Sequence, residues 1–183
     1  GDASYGGDSS AVSSSLASSV SQLFSTRFAF AALKDDGSVI TWGSSSNGGN
    51  SSSVSSSLAS GVSQVFSTEY AFAALKDDGS VITWGSSSLG GDSAAVSSSL
   101  ASGVSQIFSS TGAFAALKDD GSVITWGDAS YGGDSSAVSS SLASGVSKLF
   151  STEYAFAALK DDGSVITWGY STRGGDSDRK SVV

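Results

Sequence analysis

The 183 residues contain no histidine, cysteine, methionine or proline. Without histidine, neither a Ser-His-Asp constellation nor neutral imidazole metal ligation can be built, however many serines are present. Without cysteine there are no disulfides and no thiolate metal sites, so the redox compartment leaves no mark on the sequence. Basic residues are scarce too, 9 Lys and Arg against 17 Asp and Glu, for a net charge of −8. Binding to phosphates needs clustered Lys and Arg, which excludes nucleic acid as a partner. No run of about 18 apolar residues could span a bilayer, and no basic amphipathic stretch suits an anionic membrane surface. Membrane insertion is therefore not expected. A surface of serine, glycine and aspartate, free of oxidisable Cys and Met, suits an extracellular or cell-surface setting.

What the chain has in abundance is serine, 49 residues, with 23 glycines and a hydrophobic fraction of 39%. Serine and glycine at this level read as linker, but the apolar fraction and blocks of period 2 point to folded units joined by serine-rich loops. The units are repeats. Trp42, Trp84, Trp126 and Trp168 stand 42 residues apart, and AFAALKDDGSVITWG recurs unchanged from Ala29, Ala71, Ala113 and Ala155. The expected organisation is one repeat domain, 1–183, with repeats 1–42, 43–84, 85–126 and 127–168, and a partial repeat and tail at 169–183. The tail opens GYSTRGGDS and the chain opens GDASYGGDS. It begins and ends in the same segment of a repeat, as a slice of a longer array or an engineered consensus array would.

Within the second repeat, GSSSNGGNSSSVSSSLASG has no sustained period of 2 and reads as a long loop, with one helical turn tucked down by Val54 and Leu58. VSQVFST alternates and reads as a strand with Val62, Gln64 and Phe66 on one face. AFAALK reads as a second strand, Phe72 and Ala74 on one side and Ala71, Ala73 and Leu75 on the other. Asp78-Gly79 marks a tight hairpin, since the turn needs positive φ. SVITW, rich in β-branched residues, follows as a third strand. Three such strands cannot bury both faces alone, and alanine on a sheet face lets another sheet approach closely. The expected fold is all-β, a β-propeller of repeated antiparallel blades with three strands each, or four, every 42 residues. The alternative is a β-solenoid, into whose rung a 42-residue unit with a tight hairpin fits poorly.

The order ALKDDGSVITWG, a loop with GG, a valine and then SGV resembles the repeats of the regulator of chromosome condensation superfamily, most closely its short-blade form typified by β-lactamase inhibitory protein II. The matching pieces are Ala74-Leu75-Lys76, Gly79, Val81, Trp84-Gly85, Gly90-Gly91, Val96 and Ser102-Gly103-Val104, with counterparts along the 168 repeated residues. The family's GQ is GG here, its proline after the loop valine is serine, and its ring is similar to one of seven blades where this chain supplies four. The resemblance implies a propeller; it does not imply one function, because such propellers serve as inhibitors, exchange factors and scaffolds.

No catalytic residue, metal site or cofactor is expected. Lys34, Lys76, Lys118 and Lys160 are the only repeated bases, and beside a hairpin turn each reads as a solvated charge. Adjacent aspartates such as Asp35-Asp36 read as turn formers rather than paired acids. GGDSS lacks the spacing and the converging oxygens of a calcium repeat. The copies differ sharply at two loops. After Trp-Gly stand Tyr5, Asn47, Leu89, Asp128 with Tyr131, and Tyr170 with Arg173. Before the second strand stand Arg27-Phe28, Glu69-Tyr70, Thr111-Gly112 and Glu153-Tyr154. In the relatives these loops lie on the face that meets the partner, so the resemblance places them on a common rim, where large rigid side chains make good anchors; drift of unconstrained loop tips is the competing reading.

The expectation is therefore a non-enzymatic repeat module with a structural or adhesive role in a large repetitive surface protein, assembling with itself through blade faces. The expected partner is a second copy, most simply a dimer completing one ring. The alternative is a propeller that binds a protein or glycan through its variable rim.

Overall fold

The computed structural model describes residue 2 and residues 5–176. Its twelve strands form four separate three-stranded antiparallel sheets, each a simple meander. The first sheet holds β1 (Val20–Ser25), β2 (Ala29–Lys34) and β3 (Val39–Gly43). The second holds β4 (Val62–Ser67), β5 (Ala71–Lys76) and β6 (Val81–Gly85), and the third β7 (Val104–Ser109), β8 (Ala113–Lys118) and β9 (Val123–Gly127). The fourth holds β10 (Val146–Ser151), β11 (Ala155–Lys160) and β12 (Val165–Gly169). The linkers between sheets carry short 3-10 turns such as Ser45–Asn47 and Ser52–Val54. Among the described residues no helix is long and apolar enough to cross a membrane. The fold is an all-β propeller of repeated blades, with three strands in each blade.

The Asp-Gly hairpin forms because the second aspartate organises it. Asp78 Oδ1 accepts from Ser80 N at 2.9 Å and from Ser80 Oγ at 2.6 Å. Gly79 takes φ +75°, the left-handed region in which a β-carbon is costly. The turn also presses on the next blade, where a β-carbon at Gly79 would lie 2.8 Å from Gly103 N. These aspartates are held below the ordinary value of 3.8 by the serine hydroxyl first and the serine amide second.

Strand β5 splits its side chains as the alternation predicts. Phe72 and Ala74 pack into one core and Ala71 and Leu75 into the next. Strand β4 does not follow the simple alternation, and the grouping of Val62, Gln64 and Phe66 on one face is corrected: Val62 and Val65 share a core, while Phe66 packs on the opposite side. The cause is a β-bulge. Val62 pairs with Lys76 but Gln64 pairs with Leu75, so Ser63 is an extra residue that advances the alternation by one. The Ser63 hydroxyl is not idle, donating to Leu75 O at 3.0 Å.

Each core lies between two blades. Ala29, Ala31, Leu33 and Val39 of blade 1 meet Leu58, Val62, Val65, Phe72, Ala74 and Trp84 of blade 2, and the same arrangement recurs at the next two joints. Three backbone hydrogen bonds pin each joint. At the first they are Val39 N to Leu58 O, Val62 N to Gly37 O, and Arg27 N to Glu69 O, all 2.9–3.0 Å. The linker closes the joint from the outside. Gly48 lies so close to the Phe72 ring that a β-carbon there would sit 2.5 Å from it, and Trp84 Nε1 donates to Gly48 O at 3.0 Å.

The arc of four blades does not close. Leu23 on blade 1 is 63% exposed, while its counterparts Val65, Ile107 and Leu149 are 2–3% exposed. On blade 4, Val165 is 58% exposed against 7% for Val39, Val81 and Val123, and Phe150 is 56% exposed. Nothing lies within 4 Å of a β-carbon built at Gly163, whereas the turn glycines of the other blades all press on a following blade. Blade 1 exposes residues of the kind that the following blade contributes to each internal joint, and blade 4 exposes those of the preceding blade.

Candidate functional site

Both variable loops lie at the same end of the blades because backbone bonds tie them together. Ser44 N donates to Phe28 O, Ser86 N to Tyr70 O, Asp128 N to Gly112 O and Tyr170 N to Tyr154 O, at 2.9–3.0 Å. Aromatic rings then meet along the rim. Tyr5 and Phe28 stand 5.4 Å apart, Phe28 and Tyr70 5.9 Å, Tyr131 and Tyr154 5.6 Å, and Tyr154 and Tyr170 6.3 Å, spacings that suit attractive ring contacts. Gly112 interrupts the row. A β-carbon there would crowd Leu89 and Tyr131, so these two side chains close over the position where the other copies carry an aromatic ring.

Two arginines lie over rings. The Arg173 guanidinium is 4.2 Å from the centroid of Tyr154, and that of Arg27 is 5.3 Å from Phe28. Arg27 also reaches Glu69 at 3.9 Å, a long and solvated pair that contributes little. Several predicted rim residues serve the fold as well. Asp128 Oδ1 caps its 3-10 turn by accepting from Ser130 N at 2.7 Å. The Asn47 amide donates to Ser44 Oγ at 2.8 Å, and Tyr131 packs on the third core. Tyr5, Arg27, Glu69, Glu153, Tyr170 and Arg173 are the rim residues most open to solvent.

Inside the rim, the loops Ser25–Arg27, Ser67–Glu69, Ser109–Thr111 and Ser151–Glu153 converge around one basin of about 720 Å³. Sequence reasoning did not single out its inner hydroxyls. They are bound to the backbone rather than presented to a substrate. Thr68 Oγ1 accepts from Ala71 N and donates to Leu89 O at 3.1 Å, and Ser110 Oγ donates to Tyr131 O at 2.7 Å. The signal that could have found them is a Thr or Ser three residues before each second strand.

The repeated lysines are not the freely solvated charges expected of them. Lys34, Lys76, Lys118 and Lys160 donate Nζ to Ser15 O, Ser57 O, Ser99 O and Ser141 O at 2.7–3.1 Å, clamping the end of the preceding linker onto the blade. The aspartates of GGD are likewise structural: Asp134 Oδ1 accepts from Ser136 N at 2.9 Å, as Asp8 does from Ser10 N.

No protein-family profile matches the chain, and no curated protein does. Solved structures do. Yeast RCC1 (Prp20), seen bound to Kap60, is 18% identical with a TM-score of 0.56, over 82% of this chain and 43% of that one. Human WBSCR16 is 23% identical with a TM-score of 0.50, over 82% and 47%. The ectodomain of the Physcomitrella patens receptor kinase CR4 is 18% identical with a TM-score of 0.50, over 82% and 39%. The chain thus spans less than half the length of each. These likenesses show the fold, a β-propeller like that of yeast RCC1.

Proposed function

We propose that this chain is a non-enzymatic structural module that completes its ring with a second copy of itself, joining the open face of blade 4 to the open face of blade 1. The observation that carries this is the exposure of Leu23 and Val165 at positions whose counterparts inside the arc are buried, and of Phe150 where Phe24, Phe66 and Phe108 are partly buried. The joint between copies would bring together the apolar residues of the three existing ones, with Ser19 where those joints carry a glycine. Leu16, Val20, Leu23, Phe30 and Trp42 stand ready on one side and Ala157, Leu159 and Val165 on the other. The contact is heterologous, so two copies of four blades give eight blades if the arc closes, within the usual propeller range of four to eight. The repeated lysines and the inner hydroxyls of the basin are spent on backbone hydrogen bonds, which supports reading the module as non-enzymatic. A structural or adhesive place in a repetitive surface protein, and the short-blade form of the repeat, belong to the same reading, the latter supported by the three strands per blade.

A second reading is favoured by the rim. Its row of tyrosines with Arg27 and Arg173 suits a protein or glycan ligand, through Tyr5, Arg27, Phe28, Glu69, Tyr70, Glu153, Tyr154, Tyr170 and Arg173. Yeast Prp20 is described with Kap60, Gsp1p and histones as its binding partners. Ring completion and rim binding are compatible, since the faces and the rim are different surfaces.

The absence of cysteine allows a direct test of the first reading. Leu23→Cys and Val165→Cys are made separately and mixed, then treated with a short bifunctional thiol reagent. Head-to-tail joining predicts crosslinked dimer in the mixture and little in either variant alone. Equal crosslinking of Leu23→Cys with itself would point to a face-to-face contact and overturn the proposal.

A further inference from the structure

Resting on that reading, we infer that residues 170–175 of one copy take the seat over Phe30 and Trp42 of the next, displacing that copy's own residues 5–8. The seat is built at every blade. A glycine of the leading segment lies against the blade's phenylalanine and accepts the indole proton of its tryptophan: Gly6 on Phe30 and Trp42, Gly48 on Phe72 and Trp84, Gly90 on Phe114 and Trp126, Gly132 on Phe156 and Trp168. A β-carbon at any of these four glycines would fall 2.5–2.6 Å from the ring below.

Gly174 is the fifth member of the series and has no ring beneath it. A β-carbon there would meet only Ala155 Cβ, at 4.0 Å, and the residue is exposed where the other four are buried. Its segment is nevertheless already shaped for a seat. Tyr170 N donates to Tyr154 O at 2.9 Å, Gly175 N to Tyr170 O at 3.0 Å, and Gly174 holds φ +97° beside +102° at Gly48 and +103° at Gly90. Arg173 lies over Tyr154 and Trp168 bridges to Asp176, fixing the segment to blade 4.

Docking blade 4 onto a second copy therefore brings two GGD segments to one seat. At the three existing joints, the seated segment is the one whose first amide bonds the preceding blade's loop carbonyl, as Ser44 N does to Phe28 O. At the new joint that carbonyl is Tyr154 O, and Tyr170 N already occupies it. The trailing segment thus reproduces the internal joint, and the leading one can be spared.

Four chains test this by sedimentation equilibrium: the parent, one lacking residues 1–8, one lacking residues 170–183, and one lacking both. In the parent, closure must first break the hold of residues 5–8 on the seat, about one indole hydrogen bond in strength. A two-chain ring has two such seats, so removing residues 1–8 is expected to tighten association about thirtyfold. Gly6→Val, which keeps the chain length, should act the same way. Removing both segments leaves both seats bare and should weaken association about thirtyfold relative to loss of residues 1–8 alone. If loss of residues 1–8 weakens association instead, the leading segment holds the seat and the inference is wrong. Four equal dissociation constants also overturn it while leaving ring completion intact, whereas four monomers would remove the underlying reading.

Discussion

Leu23 and Leu149 are the same residue at the same point of the repeat, yet one is 63% exposed and the other 2%. Truncating each to alanine separates the stability of the arc from the strength of the joint. Leu149→Ala opens a cavity in the third core and should cost about 2–5 kcal/mol of folding stability. Leu23→Ala removes a side chain that is mostly in water, so the dilute monomer should lose no more than about 0.5 kcal/mol. Association should respond the other way. Burying a leucine contributes about 1.5–3 kcal/mol, and a two-chain ring has two joints, so the dimer loses about 3–6 kcal/mol, or two to four decades in dissociation constant. Urea unfolding at low micromolar concentration reads the first quantity and sedimentation equilibrium the second. Equal destabilisation of the dilute protein by both variants would mean that blade 1 is already covered. An unchanged dissociation constant for Leu23→Ala would mean that its face is not the joint.

Ser19 is the one non-glycine residue with positive φ among the described residues, at +61°, in the place held by Gly61, Gly103 and Gly145 in the other repeats. Ser19→Gly should stabilise the fold by about 1 kcal/mol, raising the thermal midpoint by about 2–4 °C; no rise would mean the serine is not strained. The lowered carboxyls of Asp36, Asp78, Asp120 and Asp162 bind protons less readily folded than unfolded, so their stabilisation is present above 3.8 and is lost as pH falls below it. Ser80→Ala removes the larger cause at Asp78, and its deficit relative to the parent should be full at pH 6 and shrink below pH ~3.8; melts showing a deficit that grows in acid would contradict this.

Much of the fold is legible in the sequence because the repeat forces one solution four times over. The alternation in AFAALK reads correctly, since strict period 2 leaves no freedom in which residues share a face. VSQVFS misleads because the bulge at Ser63 carries no hydrophobic signature; a serine inserted between Val62 and Gln64 leaves the apolar-polar alternation looking intact. The lysines mislead for a different reason. Their acceptors lie 19 residues upstream in serine-rich linkers whose path no periodicity describes. The open ends are invisible residue by residue, because Leu23 and Leu149 differ only in whether another blade precedes theirs. The two rim loops announce themselves by varying among near-identical copies, but the stacking of Arg173 on Tyr154 depends on loop geometry that composition does not carry.

The central claim is that these faces belong together, and the mass of the particle in solution tests it most directly. Light scattering coupled to size exclusion should give a discrete species of twice 18.1 kDa that falls to 18.1 kDa on dilution or with Leu23→Glu. A species that stays at 18.1 kDa across the whole concentration range would contradict the shared ring, and growth without limit would replace it with a head-to-tail filament.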